Sequence, residues 1–265
     1  MSTHIKRWCC HVLPRFLLLA AASTAMADES APVQVVFDLR PPLVFREGDL
    51  LGGSIGGIAM KSLHAAGIRF SLQEVPVRRQ LNMVEDNRQV VCAVGRIKTA
   101  ERERRGWFSH ALGQSRGYVA LIRQGEPMPQ PPSLSLWAND PKLGWGVQAG
   151  LHYSDQIDRL RTSARAQIST FNANHQHFAD LLVAQRIDFV ILQADEAAEI
   201  LLRNAAAAKA LRIVELTDVG TVEQRHFYCS RRLPEAQRRA LDEAIIKVLE
   251  PAKPAPAART PQRKP

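Results

Sequence analysis

Residues 90–102 read Val90-Val91-Cys92-Ala93-Val94-Gly95-Arg96-Ile97-Lys98-Thr99-Ala100-Glu101-Arg102. The first six are apolar or small without interruption, which is typical of a central parallel strand buried on both faces. Two more strands are predicted before it, at residues 33–37 and 69–75, with helical spacing at 55–64 and 78–86 between the strands. The order β-α-β-α-β predicts an α/β fold, in which ligands bind beyond the carboxyl ends of the strands.

A second α/β unit follows the first. A proline-rich loop at residues 125–132 interrupts the pattern, after which strands and helices alternate again. The predicted strands span 143–147, 167–171, 187–192 and 213–216, and the predicted helices span 154–163, 175–184 and 194–202. A last strand at 221–229 and an amphipathic helix at 234–249 complete the pattern.

Two α/β units in series predict two lobes with a ligand cleft between them. We assign residues 28–117 and 223–250 to lobe 1 and residues 124–217 to lobe 2. Two extended crossings, near 118–123 and 219–224, are expected to form the hinge about which such lobes close on a ligand.

The N-terminus has the pattern of a cleavable secretory signal. Basic residues up to Arg15 precede an apolar run at 16–22, and Ala25-Met26-Ala27 is an A-x-A cleavage pattern. The alternative is a membrane anchor, but the run is far shorter than the roughly 20 apolar residues that span a bilayer. We therefore expect residues 1–27 to be removed and the protein to reach the periplasm.

The charge pattern excludes one class of partner. The chain of 265 residues has a formal net charge of +9, part of it in a tail at 251–265 that is rich in Pro, Ala, Lys and Arg. We expect this tail to be disordered. Basic residues interleaved with aromatic residues, which favour nucleic-acid binding, are missing from the sequence, so no nucleic-acid partner is expected.

Four motifs in order resemble one family. Thr99-Ala100-Glu101-Arg102, followed by Phe108-Ser109, comes directly after the third strand. Residues 40–52, read here as the first-strand exit and its glycine-rich loop, and residues 146–150 and 185–191 match further motifs. Together they resemble the family 3 extracellular solute-binding proteins, the periplasmic polar-amino-acid receptors of ABC transporters, over residues 32–250. The resemblance implies a type II two-lobed periplasmic-binding-protein fold with an interlobe cleft and a two-strand hinge.

The resemblance also implies a ligand site at the end of the third strand. Arg102 matches the family's arginine, which pairs with the ligand carboxylate, and a planar guanidinium suits that bidentate role. Gly95 and Ile97 lie beside it in the motif, although a hydroxyl residue is usual at the position of Ile97. The alternative is that Arg102 belongs to a solvated basic helix with Arg104 and Arg105.

The second lobe is expected to supply the other side of the site. The turn that contains Gln148, Gly150 and His152 precedes a helix, and backbone N–H groups at such a turn suit an anion. The alternative is an ordinary helix start.

Two further positions depart from the family pattern. By its spacing, Gln193 occupies the position at which the family places an Asp that binds the ligand ammonium. Asp195 lies two residues further on and takes that role only if the end of the strand is shifted. Leu39-Arg40 occupies the place where an aromatic residue of the family usually packs on the ligand, and Arg40 is either a second anion contact or a surface residue. Because a neutral amide cannot balance a buried ammonium, we expect a ligand that has a carboxylate but no buried ammonium group.

Two cysteines follow the signal. Cys92 and Cys229 form either one disulfide or two buried free thiols. In the fold that the resemblance implies, their strands run side by side, so a disulfide is possible if both side chains face the same side of the sheet.

The resulting hypothesis is a monomeric periplasmic solute-binding protein that delivers a small carboxylate-bearing solute to an ABC permease. The alternatives are a sensory receptor for a membrane kinase and a dehydratase-like enzyme on the same fold. No cofactor and no metal are expected, because the H-x-H pair of His175 and His177 lacks further ligands in its pattern. A catalytic triad is not predicted either, since Ser109 and Ser115 have no matching His and Asp pattern.

Overall fold

The structure is a computed structural model that describes residues 31–172, 175–220 and 222–250. The predicted signal at 1–27 and the predicted disordered tail at 251–265 lie outside these ranges. Within them, no helix combines the length and apolar character needed to cross a bilayer.

The first lobe is built on a five-stranded sheet in the order β4-β1-β5-β12-β6. Its elements are β1 (Val33–Phe37), β2 (Phe45–Glu47), β3 (Leu50–Gly52), α1 (Gly56–Ala65), β4 (Phe70–Glu74), α2 (Val77–Glu85), β5 (Val91–Arg96), α3 (Ala100–Glu103), β6 (Trp107–Ser115), β12 (Glu223–Cys229) and α9 (Glu235–Leu249). β1 pairs in parallel with β4 and β5, and β12 lies antiparallel between β5 and β6. Helices α1 and α9 pack together, and their buried faces share a core with Phe37, Leu112 and Phe227.

The second lobe is built on a five-stranded sheet in the order β11-β7-β10-β8-β9. Its elements are β7 (Tyr118–Arg123), α4 (Leu134–Ala138), β8 (Gly144–Gln148), α5 (Asp155–Thr162), β9 (Gln167–Phe171), α6 (His175–Val183), β10 (Phe189–Gln193), α7 (Ala194–Arg203), α8 (Ala205–Ala210) and β11 (Leu211–Glu215). β8 pairs in parallel with β9 and β10, while β7 is antiparallel to both β10 and β11. Trp137, Trp145 and Phe189 fill the core on one side of the sheet, and Phe178 and Leu182 lie in the core on the other.

The predicted α/β fold with two lobes is confirmed, but one predicted crossing is wrong. Residues 118–123 form β7, which is hydrogen-bonded on both edges inside the second sheet because its apolar side chains are buried there. The chain therefore leaves the first sheet at Arg116 and Gly117, directly after β6. Gly117 meets the returning segment at Gly220, where an added Cβ would lie 3.0 Å from the Gly220 carbonyl oxygen.

Of the two alternatives for the cysteines, the structure has the disulfide. Cys92 on β5 and Cys229 on β12 are direct partners in the antiparallel register, with Cα atoms 4.0 Å apart, and their sulfurs are bonded. Both are buried, at 1% and 0% exposure. The disulfide thus ties the strand that ends at the cleft to the strand that returns from the second lobe.

Candidate functional site

A buried cluster of charged side chains lies where the first sheet faces the second lobe. Asp38 follows β1 and Arg96 ends β5, so both stand at the carboxyl edge of the parallel strands, where α/β folds bind ligands. The Arg96 Nη2 atom lies 2.5 Å from Asp38 Oδ1, and Arg96 Nε donates to the Val94 carbonyl. Gln80 from α2 also donates to Asp38 Oδ1, at 3.1 Å. These three hydrogen bonds all lie within the first lobe.

Arg40 and Glu196 join the two lobes across this cluster. The Arg40 guanidinium, after β1, donates from Nε and Nη2 to the two carboxylate oxygens of Glu196 at 2.8 and 3.1 Å. Glu196 lies in the first turn of α7, where a carboxylate is stabilised by the helix dipole, and it accepts the Gln193 N–H. Burial by itself would lower the pKa of Arg40, but Glu196 and Asp38 raise it above its ordinary value.

Arg225 on β12 is the third arginine of the cluster. Its Nη1 donates to the Gly95 carbonyl at 3.1 Å, and the residue is 2% exposed. Burial, followed by repulsion from Arg40, lowers the pKa of Arg225 to about 10. Arg40, Arg96 and Arg225 thus face two carboxylates, Asp38 and Glu196. We call these five residues the interlobe charge cluster.

Gln193 ends β10 beside the interlobe charge cluster and is fully buried. Its Nε2 donates to the Ser115 hydroxyl at 2.5 Å, and Ser115 in turn donates to the Glu223 carbonyl. Gln193 therefore connects the second lobe to the segment that leaves the first. Asp195 lies outside this group and pairs with Arg116 at 3.3 Å.

Arg102 lies at a second point of contact between the lobes. Its Nη1 donates to the Ile97 carbonyl of the first lobe at 3.1 Å, and its Nη2 donates to the Gly150 carbonyl of the second at 3.2 Å. Burial, and then repulsion from Arg96, lower its pKa to about 10. The guanidinium borders a cleft of about 360 Å³ that is also lined by His152.

Gly150 has the conformation that a close approach of the lobes requires. Its φ is +75°, in the left-handed region that glycine adopts without steric cost. A Cβ at this position would lie 3.0 Å from the Cα of Arg78 on α2 in the first lobe. Nearby, His152 Nδ1 is paired with Asp158 Oδ2 at 2.5 Å.

The structure brings the predicted site residues together in two groups along the lobe boundary. Arg102, Ile97, Gly150 and His152 form the outer group, and Gln148 lies separately beside a cleft of about 280 Å³ that Asp38 also lines. The inner group contains Arg40, Gln193 and the Gly95 carbonyl.

Four of the five residues of the interlobe charge cluster are missing from the sequence prediction. Asp38 and Arg96 had a usable signal, because charged residues at the carboxyl ends of buried parallel strands lie at the ligand edge. Glu196 had a weaker one, a carboxylate three positions into a helix that starts directly after a buried strand. Arg225 had none, since nothing in its strand distinguishes it from a solvated residue.

Within the described ranges, no three His, Cys, Asp or Glu side chains converge to hold a metal ion. The His175 side chain lies outside the described part of the chain.

Comparisons with known proteins support the fold. No family model and no curated protein matches the chain, but many solved structures do. The arginine-, lysine-, histidine-binding protein ArtJ from Geobacillus stearothermophilus is 19% identical with a TM-score of 0.67, over 82% of this chain and 89% of that one.

Two further structures have the same fold. The substrate-binding protein of an amino-acid ABC transporter is 16% identical with a TM-score of 0.66, over 82% of this chain and 93% of that one. An ancestral amino-acid-binding protein, described as a precursor of cyclohexadienyl dehydratase, is 18% identical with a TM-score of 0.62, over 82% and 88%. At such identities the similarity shows the fold alone, and the chain therefore has the two-lobed fold of the amino-acid-binding proteins that its sequence resembles.

Proposed function

We propose that this chain is a periplasmic solute-binding protein that captures a small carboxylate-bearing solute, an amino acid or a related organic acid, for an ABC transporter. The observation that carries the proposal is the interlobe charge cluster, in which Arg40 of one lobe and Glu196 of the other meet out of solvent. Support also comes from the solved structures of the same fold, which include the substrate-binding protein of an amino-acid ABC transporter.

Arg102 is our candidate for a carboxylate contact. Its two donated hydrogen bonds go to neutral backbone carbonyls, one in each lobe. A carboxylate is a stronger partner for a guanidinium than a carbonyl, and it can accept two parallel N–H bonds. A solute carboxylate at the lobe boundary would therefore replace the bonds of Arg102 to these carbonyls by stronger ones. It would thereby stabilise the closed arrangement of the lobes.

A thermal-shift screen tests the proposal. Protein lacking residues 1–27 is heated with polar amino acids, hydroxy acids, 2-oxo acids and dicarboxylates. A ligand at 100 times its Kd stabilises the folded state by about 2.7 kcal/mol, which raises the unfolding temperature measurably. A screen in which no carboxylate shifts the transition contradicts the proposal.

The enzyme alternative has one observation in its favour. One solved structure with this fold is described as a precursor of cyclohexadienyl dehydratase. The two functions are separated by incubating each ligand from the screen with the protein and following it by chromatography. A binding protein returns the ligand unchanged, whereas steady turnover supports the enzyme.

The proposed partner is tested separately from the ligand. The ligand-bound protein, expected to elute as a monomer on size exclusion, is used to capture solubilised membrane proteins from its source cells. Recovery of an ABC permease supports transport, and recovery of a membrane kinase supports the sensory alternative.

A further inference from the structure

We infer that the solute is a small organic anion without a protonated amino group, that Arg40 and Arg225 bind one of its acidic groups in addition to the contact proposed for Arg102, and that Glu196 competes with it for Arg40. The inference rests on the proposed function and names the ligand class and the residues that select it.

The charge of the interlobe charge cluster is the first argument. Three guanidinium groups face two carboxylates, which leaves a surplus of one positive charge among residues that are at most 8% exposed. Buried charge is costly unless it is paired. An anion would neutralise the surplus, whereas the ammonium of an amino acid would add a fourth cation beside three guanidinium groups.

Unused hydrogen-bond donors are the second argument. Arg40 Nη1 and Arg225 Nε are buried, and neither has a hydrogen-bond partner among the described residues. Leaving a buried donor unpaired is expensive, most of all for a charged group. Arg40 also repels Arg225, so an anion that reaches these donors when the lobes open would satisfy them and reduce the repulsion.

Gln193 provides the third argument. Its Nε2 is used by Ser115, while its Oε1 is buried without a partner among the described residues. A neutral carbonyl oxygen can accept a hydroxyl proton, and the hydroxyl adds no positive charge beside the three guanidinium groups. The structure therefore favours a hydroxyl over an amino group next to the acidic group.

The position of Glu196 explains how a solute reaches these donors. Arg40 and Glu196 belong to different lobes, so opening the lobes separates them and frees the guanidinium fork. A solute anion and the Glu196 carboxylate then compete for the same N–H groups. An anion therefore binds only if its acceptor atoms bind the Arg40 N–H groups more strongly than the Glu196 carboxylate does.

Matched ligand pairs test the inference. L-lactate and L-alanine, and L-malate and L-aspartate, differ only by a hydroxyl in place of an ammonium, and each is titrated calorimetrically into the protein. We expect the hydroxy acid of at least one pair to bind ten-fold or more tightly than its amino partner. Tighter or equal binding of the amino acids would overturn the inference and leave the proposed function standing. Binding of neither member of either pair would overturn the inference, while the wider screen still decides the proposed function.

Two variants test the assigned residues. Arg225→Gln should weaken binding of the preferred hydroxy acid at least ten-fold, whereas Glu196→Gln should strengthen it, because a competing carboxylate is removed. Arg116→Gln is the control: it removes an arginine near the crossing that is 77% exposed in its side chain and lies outside the cluster, so binding should not change. Near-ultraviolet circular dichroism checks that each variant is folded. Weaker binding in both cluster variants would overturn the inference, since a purely structural cluster loses function whichever member is changed.

Discussion

Arg102 shows how one side chain can act in both lobes at once. It donates to Ile97 in the first lobe and to Gly150 in the second. Removing one partner of a desolvated charge pair costs about 2–5 kcal/mol, partly because the other charge is left unpaired. We therefore expect Arg102→Ala to weaken binding of the screened carboxylate about 30-fold or more, as measured by calorimetric titration.

Two further variants make that test specific. Arg102→Lys should recover only part of the affinity, because an ammonium lacks the planar fork. Arg105→Ala is the control, since the Arg105 side chain is 55% exposed and its ion pairs with Glu85 and Glu101 are of the surface kind that contributes little. If Arg102→Ala binds as tightly as the unmodified protein, Arg102 is not a ligand contact.

The sequence could indicate Arg102 but not Glu196, for a physical reason. A motif fixes the spacing between a strand end and a side chain three or more residues later, so Arg102 could be placed near the cleft. The Arg40–Glu196 pair joins residues that are 156 positions apart, and only the packing of two lobes brings them together. Arg40 was therefore open to two interpretations in the sequence, anion contact or surface residue, whereas the structure buries it.

At the scale of single elements, Asp218 holds the start of α4. Its carboxylate accepts hydrogen bonds from the backbone N–H groups of Leu134 and Ser135 and from the hydroxyls of Ser133 and Ser135. Burial by itself would raise the pKa of Asp218, but these hydrogen bonds from Ser135, Leu134 and Ser133 lower it below its ordinary value. The carboxylate thus caps the start of a helix from a loop that lies 83 to 85 residues later in the chain.

Asp218→Asn should destabilise the protein by about 1–3 kcal/mol at neutral pH, because an amide cannot accept all of these bonds. A group with a lowered folded pKa stabilises above its unfolded pKa of about 4 and stops doing so as the pH falls through the folded value. The difference between the two proteins in urea unfolding should therefore shrink below about pH 4. Asp180→Asn, on the exposed face of α6, is the control and should change little. A difference that stays constant down to pH 2 would contradict the role of the carboxylate.

The disulfide between β5 and β12 gives a second prediction at this scale. It closes a loop with a sequence separation of 137, so it strongly restricts the unfolded chain. Replacing both Cys92 and Cys229 by Ala should cost about 2–5 kcal/mol of unfolding free energy in urea titrations. Two free thiols titrated in the unfolded, unreduced protein would show instead that the bond does not form in solution.

Elements with a clear hydrophobic pattern could be predicted, and those defined by pairing could not. The buried strands β1, β5 and β10 are visible as apolar runs in the sequence. The sequence does not predict β6, because polar and small residues such as His110 and Gln114 alternate along a strand that is defined mainly by its pairing with β12. The hairpin of β2 and β3 falls in the predicted glycine-rich loop, since Gly48 and its neighbours are typical of turns and each strand has only three residues.

At the scale of the whole molecule, the lobes touch through few and specific contacts. The Arg40–Glu196 pair, the Arg102–Gly150 bond and the approach of Gly150 to α2 join the faces of the lobes, and Gly117 and Gly220 bring the crossings together. Among the described residues, ion pairs, side-chain hydrogen bonds and close backbone approaches join the faces, so small changes there should alter closure without unfolding either lobe.

Gly150→Ala tests whether this closure is required for binding. The new Cβ would lie 3.0 Å from the Arg78 Cα and 3.1 Å from the Arg78 N, and backbone atoms of α2 cannot move aside as a flexible side chain can. Carbon atoms pack best at about 3.5–4.0 Å, so the lobes must separate to accommodate the methyl group. We expect a larger radius of gyration in small-angle scattering with ligand present, together with weaker ligand binding.

Gly125→Ala separates closure from backbone strain. Gly125 has a φ of +74°, nearly that of Gly150, but an added Cβ there meets no atom within 4 Å. Both substitutions force alanine into the left-handed region at a cost of about 1–2 kcal/mol, so both should lower the unfolding temperature by a similar amount. Only Gly150→Ala should also weaken ligand binding and expand the protein. If the two variants bind ligand equally well, the contact between Gly150 and α2 is not part of the ligand-bound state, and the lobes close on the solute in another arrangement.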